Sequence, residues 1–254
     1  MSGGQGLLIV NADDWGYDEE TTEAIADCHR AGGVTSTTAM SYMRGSASAA
    51  RIAAGLPDLG IGLHLNLVEE YSDPDTPAPI RERQRQLIEH SRLLRLRRWV
   101  YDPFLADRIN AVIADQFRAF LALYGRLPTH LDGHHHCHLA ANVLLSPAVP
   151  RGTRIRNALS DAHRPNPLTD ALRGIRKVTI RRRDLATTDY FFSIVTSWPQ
   201  LSGAPPEDKL GLAREATVEV MVHPAFPSEY EPLQSRDWLD VLAQLPTGTF
   251  GDLR

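Results

Sequence analysis

Ten consecutive residues, Thr129–His138 (THLDGHHHCH), hold five of the ten histidines in a 254-residue chain, with Asp132 among them. The neutral imidazole is the commonest protein ligand for transition metals and suits zinc, copper, iron and nickel. Far upstream, the apolar run Leu7–Val10 leads into Asn-Ala-Asp-Asp and so ends on the adjacent carboxylates Asp13 and Asp14. Two imidazoles and a carboxylate with open coordination positions are the usual ligand set of a hydrolytic divalent metal. A vacant position binds water and lowers its pKa from about 15.7 toward ~7, which makes a nucleophile at neutral pH. A second carboxylate beside the ligand can take the remaining proton. Plainer uses compete. The histidines could form an exposed patch without defined geometry, and an aspartate often caps a helix such as one starting at Glu19. One of the pair could serve as a cap; two adjacent caps would be redundant.

The elements that must position these groups read as alternating strands and helices. Leu7–Val10 is a short buried strand, and Glu19–Ala31 is a helix stopped by Gly32-Gly33. Val34–Met40 is β-branched and strand-like, Ser46–Ala54 helical, and Leu59–Leu67 the next strand. This alternation belongs to a parallel sheet or barrel. Tyr71–Pro79 is a proline-rich loop long enough to cover a site. Helices follow over Arg81–Trp99 and Ala106–Tyr124, then a strand ending at Asp132-Gly133 and a helix over Ala140–Leu145. Arg154–Arg156 is a weak strand. Between Asp161 and Pro206 the pattern blurs, apart from a strand at Tyr190–Val195. Thr217–Val222 is a buried strand, Ser235–Leu245 a helix, and Thr247–Phe250 a closing strand. Four strands therefore end in polar clusters: Asn11–Asp14, His64–Asn66, Asp132–His134 and His223-Pro224. In parallel α/β folds such ends converge on one mouth. A lone His64 on an apolar strand would ordinarily be a satisfied core residue; four such ends together point to a site.

Bulk properties narrow the class. A hydrophobic fraction of 43% and a charged fraction of 23% suit a soluble globular enzyme. The net charge of −4 argues against general nucleic-acid binding, which needs a basic excess. Two cysteines, Cys28 and Cys137, cannot form a disulfide scaffold and fit a reducing compartment. No window approaches the ~20 apolar residues of a membrane span, and no basic region with a long apolar stretch opens the chain. A cytoplasmic protein of one domain, residues 1–254, is expected, and a homo-oligomer is compatible with it. The basic stretches Arg92–Arg98 and Arg173–Arg183 read as solvated helix faces rather than as contacts to an anionic substrate or lipid.

Taken together, LLIVNADDWG, VTSTTAMSYM, IGLHLNL, THLDGHHHCH and VMVHPAF, in this order and spacing, resemble the YdjC-like carbohydrate deacetylase family, which includes chitooligosaccharide deacetylases. The resemblance runs from about Leu7 to Phe226, with a plausible tail in GTFGDL. It implies an α/β fold of TIM-barrel-like (β/α) type, irregular in places. It also implies one divalent metal ion, with zinc expected first and magnesium or another divalent ion as alternatives. The reaction would remove the N-acetyl group of an amino sugar or its conjugate. Carried over position by position, it makes Asp14, His64 and His134 metal ligands, Asp13 the general base, and His223 the general acid toward the leaving amine. Arg156 matches an arginine near the site, where it would contact the substrate. No family function falls on Asp161–Pro206, and loops of this kind set specificity.

Several alternatives stay open at this level. His134 and His138 are four apart and would share a helical face, which would make His138 a ligand in place of His64. His135 and His136 cannot both point into the site. Cys137 reads as a small buried residue rather than a ligand. Trp15 and Phe226 would either stack on a sugar face or pack the barrel rim. Other functions compatible with the pattern are a metal-dependent phosphoesterase, which would need two or three metals and more ligands, and a non-catalytic sugar- or metal-binding relative.

Overall fold

A computed structural model describes residues 6–92, 101–158, 167–197 and 207–253. Its centre is a parallel sheet of six strands: β1 (Leu7–Trp15), β2 (Ser36–Ala39), β3 (Gly60–Leu65), β4 (Leu131–Gly133), β5 (Tyr190–Ser193) and β6 (Thr217–Val222). They lie in the order β4-β3-β2-β1-β6-β5. The helices of seven or more residues are α1 (Glu19–Arg30), α2 (Ser46–Ala53), α3 (Ala78–Arg92), α4 (Pro103–Tyr124), α5 (Pro167–Arg182), α6 (Pro227–Leu233) and α7 (Arg236–Leu242).

The expected barrel is approximated by a curled half-barrel. Beyond β4, Ile155 bridges Leu131, and Arg154 bridges Ala186, shortly before β5. These single bridges carry the curl from one edge toward the other. The weak strand read at Arg154–Arg156 is this connection, and the closing strand expected at Thr247–Phe250 is reduced to one bridge, Leu8 to Thr247, followed by a 3-10 turn at Phe250–Asp252.

A strand sends alternate side chains to opposite faces, and this period separates core from site. On β1, Leu8, Val10 and Ala12 face the helices, and so do Ile61, Leu63 and Leu65 on β3 and Val218, Val220 and Val222 on β6. They pack with Ile25 of α1, Ala49 of α2, Ile113 and Phe120 of α4, and Trp238 of α7. The other face of the sheet lines the inside of the curl. Its lower end is plugged by Ile9, Phe250 and Leu253. One level up, the His130 ring stacks on Phe250 at 3.8 Å. A Cβ on Gly62 would meet that imidazole at 2.5 Å, so only glycine fits there. Above them the same face turns polar and carries Asn11, Asp13, Thr38, His64, Asp132, Arg156 and Glu219, all buried.

The helix termini follow local rules. Asp18 accepts the Thr21 N–H and caps α1, a role that the sequence left open to Asp13 or Asp14. Asp102 caps α4, whose first residue is Pro103, and Gly125 at φ 65° ends it. Helix α3 begins at Ala78, and its expected continuation to Trp99 lies outside the described residues. Among the described residues, no helix is long and apolar enough to cross a membrane.

Candidate active site

Strand β1 continues five residues past its expected end at Val10, to Trp15, and its last part is irregular. The register with β2 shifts between Ala12 and Trp15, and Asp14 takes the left-handed backbone conformation at φ 71°. In a regular strand, Asp13 and Asp14 would point to opposite faces. The irregularity re-aims one of them, so that both carboxylates reach the same mouth.

Asp14 Oδ1 lies 3.2 Å from His64 Nε2 and 3.2 Å from His134 Nδ1. One donor atom from each of the three residues lies within 4.8 Å of the others. Ligand atoms on a tetrahedron with bonds of ~2.0–2.1 Å stand about 3.3 Å apart, so these spacings suit a small divalent cation. Charge points the same way. Asp13, Asp14, Asp132 and Glu219 crowd into one region, and Arg156 is the guanidinium placed among them. A second group, Asp13, His64 and Asp132, is as compact. Its carboxylates are already committed, however: both oxygens of Asp13 accept from Arg156, and those of Asp132 are taken by His64, Thr38 and Arg156.

Asp13 is held in one orientation. Arg156 donates to it through Nη1 at 2.7 Å and Nη2 at 2.6 Å, and Asn11 adds a third hydrogen bond at 3.1 Å. Asn11 is itself held by His130, whose Nε2 donates to Asn11 Oδ1 at 3.1 Å. Burial would raise the Asp13 carboxyl, but the Arg156 charge and hydrogen bonds hold it well below the usual carboxylate range. Asp14 is also depressed: burial opposes ionisation, and the hydrogen bonds from His134 and His64 outweigh it. His64 moves upward. Burial disfavours its cation, but the buried Asp132, accepting from Nδ1 at 2.7 Å, more than offsets this.

His223 follows β6 and places Nε2 3.9 Å from Asp13 Oδ2, with 26% of its side chain exposed. Its backbone N–H donates to Glu229 of α6 at 2.6 Å, which fixes the turn after the strand. Phe226, 56% exposed, lies with its ring centroid 5.9 Å from that of His223.

The structure brings Asp13, Asp14, His64, His134 and His223 to one mouth. Three other expectations are corrected. Trp15 is fully buried in the main core, so of its two readings only packing stands. Arg156 is also enclosed, with its guanidinium on Asp13, Asp132 and Glu219 and over the Phe191 ring; it cannot meet a substrate. His138 is turned away from Asp14, and its Nε2 donates to the Arg156 carbonyl at 3.3 Å. The helical spacing to His134 fails because His135 and His136 both adopt left-handed backbone angles. His136 packs edge-on against Phe191, and burial drops it to about 4. Cys137 is buried and donates to the Leu65 carbonyl, as a small core residue would.

Sequence reasoning gave no role to Thr38, Glu69, Glu219 or Glu229, and used Asp132 only as a strand-end marker. Glu219 had a signal, a lone charge inside the buried strand TVEVMV. Glu69 had none, because it lies in a loop with no period.

Residues 7–245 match the model of a family described as YdjC-like protein. The chitooligosaccharide deacetylase of Proteus mirabilis (strain HI4320) is 36% identical over 138 residues, which cover 52% of this chain and 50% of that protein. The chitooligosaccharide deacetylase of Salmonella schwarzengrund (strain CVM19633) is 29% identical over 228 residues, 87% of this chain and 82% of that one. A crystal structure of a provisionally named cellobiose-phosphate cleavage protein from Enterococcus faecalis V583 superposes with a TM-score of 0.70 over 98% of this chain and 99% of the other. At 22% identity that likeness is one of fold. Matched over nearly its whole length, the chain belongs to the YdjC-like family.

Proposed function

We propose that the chain is a carbohydrate deacetylase that hydrolyses the N-acetyl group of an amino sugar or its conjugate, giving acetate and a free amine. The observation that carries this reading is the meeting of Asp14, His64 and His134 with Asp13 and His223 at one mouth. The family and the deacetylase names of its relatives support the substrate class.

A divalent cation on Asp14, His64 and His134 would acidify a water and polarise the acetyl carbonyl. Asp13 takes the proton of the attacking water. Clamped by Arg156, it is ionised at any working pH and is a weak base, so it accepts a proton only from a strongly acidified donor. The same clamp fixes the direction from which Asp13 can act. His223, partly open to solvent and 3.9 Å from Asp13, gives a proton to the departing nitrogen, since an unprotonated amide nitrogen leaves very poorly. Phe226, exposed beside His223, offers an apolar face to a sugar ring.

The test is acetate release from a panel of N-acetylated mono- and oligosaccharides and conjugates, with zinc, magnesium, cobalt and nickel each supplied to chelator-stripped protein. Release with about one bound metal per chain is expected. Binding of these sugars without release under every metal would replace the enzyme with a non-catalytic binder. Two or more metals per chain, with phosphate release from phosphate esters, would replace it with a phosphoesterase.

A further inference from the structure

Each of the two imidazoles facing Asp14 is gripped from behind by a second carboxylate, and the two use opposite ring nitrogens. His64 turns Nε2 to Asp14 at 3.2 Å and Nδ1 to the buried Asp132 at 2.7 Å. His134 turns Nδ1 to Asp14 at 3.2 Å and Nε2 to Glu69 Oε2 at 3.2 Å. A neutral imidazole has one N–H, so a ring that donates from Nε2 to a carboxylate must offer its lone pair at Nδ1.

Glu69 is held through its carboxylate and through its backbone. Its Oε1 accepts the Tyr17 hydroxyl at 2.8 Å, a bond that also raises the Tyr17 phenol above its usual value. Asn66 Oδ1 accepts the N–H groups of Val68 and Glu69, at 3.1 and 2.9 Å. The Glu69 carbonyl accepts from Asn66 Nδ2 at 2.8 Å and from Gln84 Nε2 at 2.7 Å. Gln116 closes on Asn66 from below, accepting its N–H at 2.8 Å and donating to its carbonyl at 2.9 Å. Asn66, Gln84 and Gln116 are all buried. Three buried amides thus fix a loop residue whose own side chain is 37% exposed and aimed at His134.

We propose that Glu69, steadied by Tyr17, is the positioning residue of His134, fixing the tautomer that presents Nδ1 to the cation. It is the outer counterpart of Asp132 behind His64. This inference rests on the reading of Asp14, His64 and His134 as a cation site. Partners of this kind orient metal-binding histidines and raise their basicity, and their loss typically costs ~10–100-fold in metal affinity.

The test uses the full chain stripped of metal and titrated with Co2+ by calorimetry, with histidine 15N spectra of the Zn2+-loaded protein as a second readout. Glu69→Ala should bind Co2+ ~10–100-fold more weakly. Glu69→Gln, which keeps an acceptor oxygen but not the charge, should fall between Glu69→Ala and wild type. Tyr17→Phe should lose less than either. The metal-free melting temperature of Glu69→Gln should not move. In wild-type spectra, His134 should carry metal at Nδ1 and a proton at Nε2, and His64 the reverse. Equal Co2+ affinity in wild type and Glu69→Ala, or His134 metallated at Nε2, would overturn the bracing role. A Co2+ visible spectrum changed in intensity by Glu69→Ala, as on loss of a direct ligand, would overturn it too. If wild type binds neither ion, the cation site itself falls. Weaker binding by Glu69→Ala in a protein that deacetylates nothing would leave the brace standing and remove only the substrate reading.

Discussion

At the floor of the site, Asp13, Asp132 and Glu219 share the Arg156 guanidinium and are closed off from solvent. At the rim, Asp14, His134, Glu69 and His223 are each partly open, and the carboxylates of Asp14 and Glu69 meet imidazoles and the Tyr17 hydroxyl but, among the described residues, no guanidinium or ammonium. The floor carboxylates are held by a guanidinium of the chain itself and are part of the fold. The rim carboxylates have no guanidinium of their own and stay open to an arriving cation, so their charges serve binding. The same residue type therefore has opposite consequences depending on depth, and substitutions in the two layers should separate stability from activity.

The largest effect is expected from Arg156→Met. It strands three buried carboxylates, and breaking a buried pair from one side typically costs ~3–5 kcal/mol. Urea unfolding of the metal-free protein should show that loss, together with loss of turnover. A variant within about 1 kcal/mol of wild type would dissolve the distinction between floor and rim. The converse arm is His134→Ala. Divalent binding and acetate release should both fall to background, while metal-free stability stays within about 1 kcal/mol, because few partners are left buried and unpaired.

Asp13 belongs to both layers, with both oxygens on Arg156 and one of them toward His223. Asp13→Asn should retain the metal and lose ~10²–10⁴-fold in kcat, the usual worth of a positioned acid or base. Unchanged turnover would remove Asp13 from the chemistry and leave it a purely structural anion.

The rim was more legible in the sequence than the floor. NADD, GLH and DGHHHCH stand at strand ends, where polar residues break an apolar run, and the family resemblance ordered them. The floor is written in strand interiors. Glu219 sits inside TVEVMV, which reads as one buried strand, and only the curl of the sheet reveals that its face encloses a polar interior. Arg156 was noticed, but its role reversed, because the single bridges at Arg154 and Ile155 that turn it inward leave no hydrophobic period. The positive φ angles of Asp14, His135 and His136 had no signal either, since such conformations usually announce themselves through glycine. They explain why a helical spacing argument for His138 failed.

A pH experiment sharpens the floor. Burial pushes Glu219 up to about 7, against the pull of Arg156 and with the help of Asp132 and Asp13. A carboxyl raised in the folded state favours folding fully below its unfolded value of 4.5, and that contribution is lost as pH rises through about 7. Asp13 and Asp14 are shifted the other way, so their contributions are lost only as pH falls below 3.8. Between pH 5 and 8 the unfolding free energy of wild type should therefore drop relative to that of Glu219→Gln, by up to about 3 kcal/mol. Parallel curves for the two proteins would mean that Arg156 keeps Glu219 ionised throughout, and the floor would carry a full further negative charge.

The smallest effects test the rim at its apolar edge, where Phe226 stands in contrast to the core residue Trp15. Both aromatic rings flank site motifs in the sequence, yet Phe226 is 56% exposed and Trp15 fully buried. Phe226→Ala should leave stability within about 0.5 kcal/mol. If a sugar ring stacks on Phe226, losing roughly 0.5–1.5 kcal/mol of aromatic contact should lower kcat/KM by about two- to tenfold, mostly through KM. Because Phe226 contributes by contact with the ring and not by proton transfer, the loss should be similar for amide and activated ester substrates. His223→Ala should instead hurt the amide far more than the ester, whose leaving group needs no proton. Equal losses in the His223 variant would place His223 with Phe226 among the binding groups and leave the departing amine without its acid.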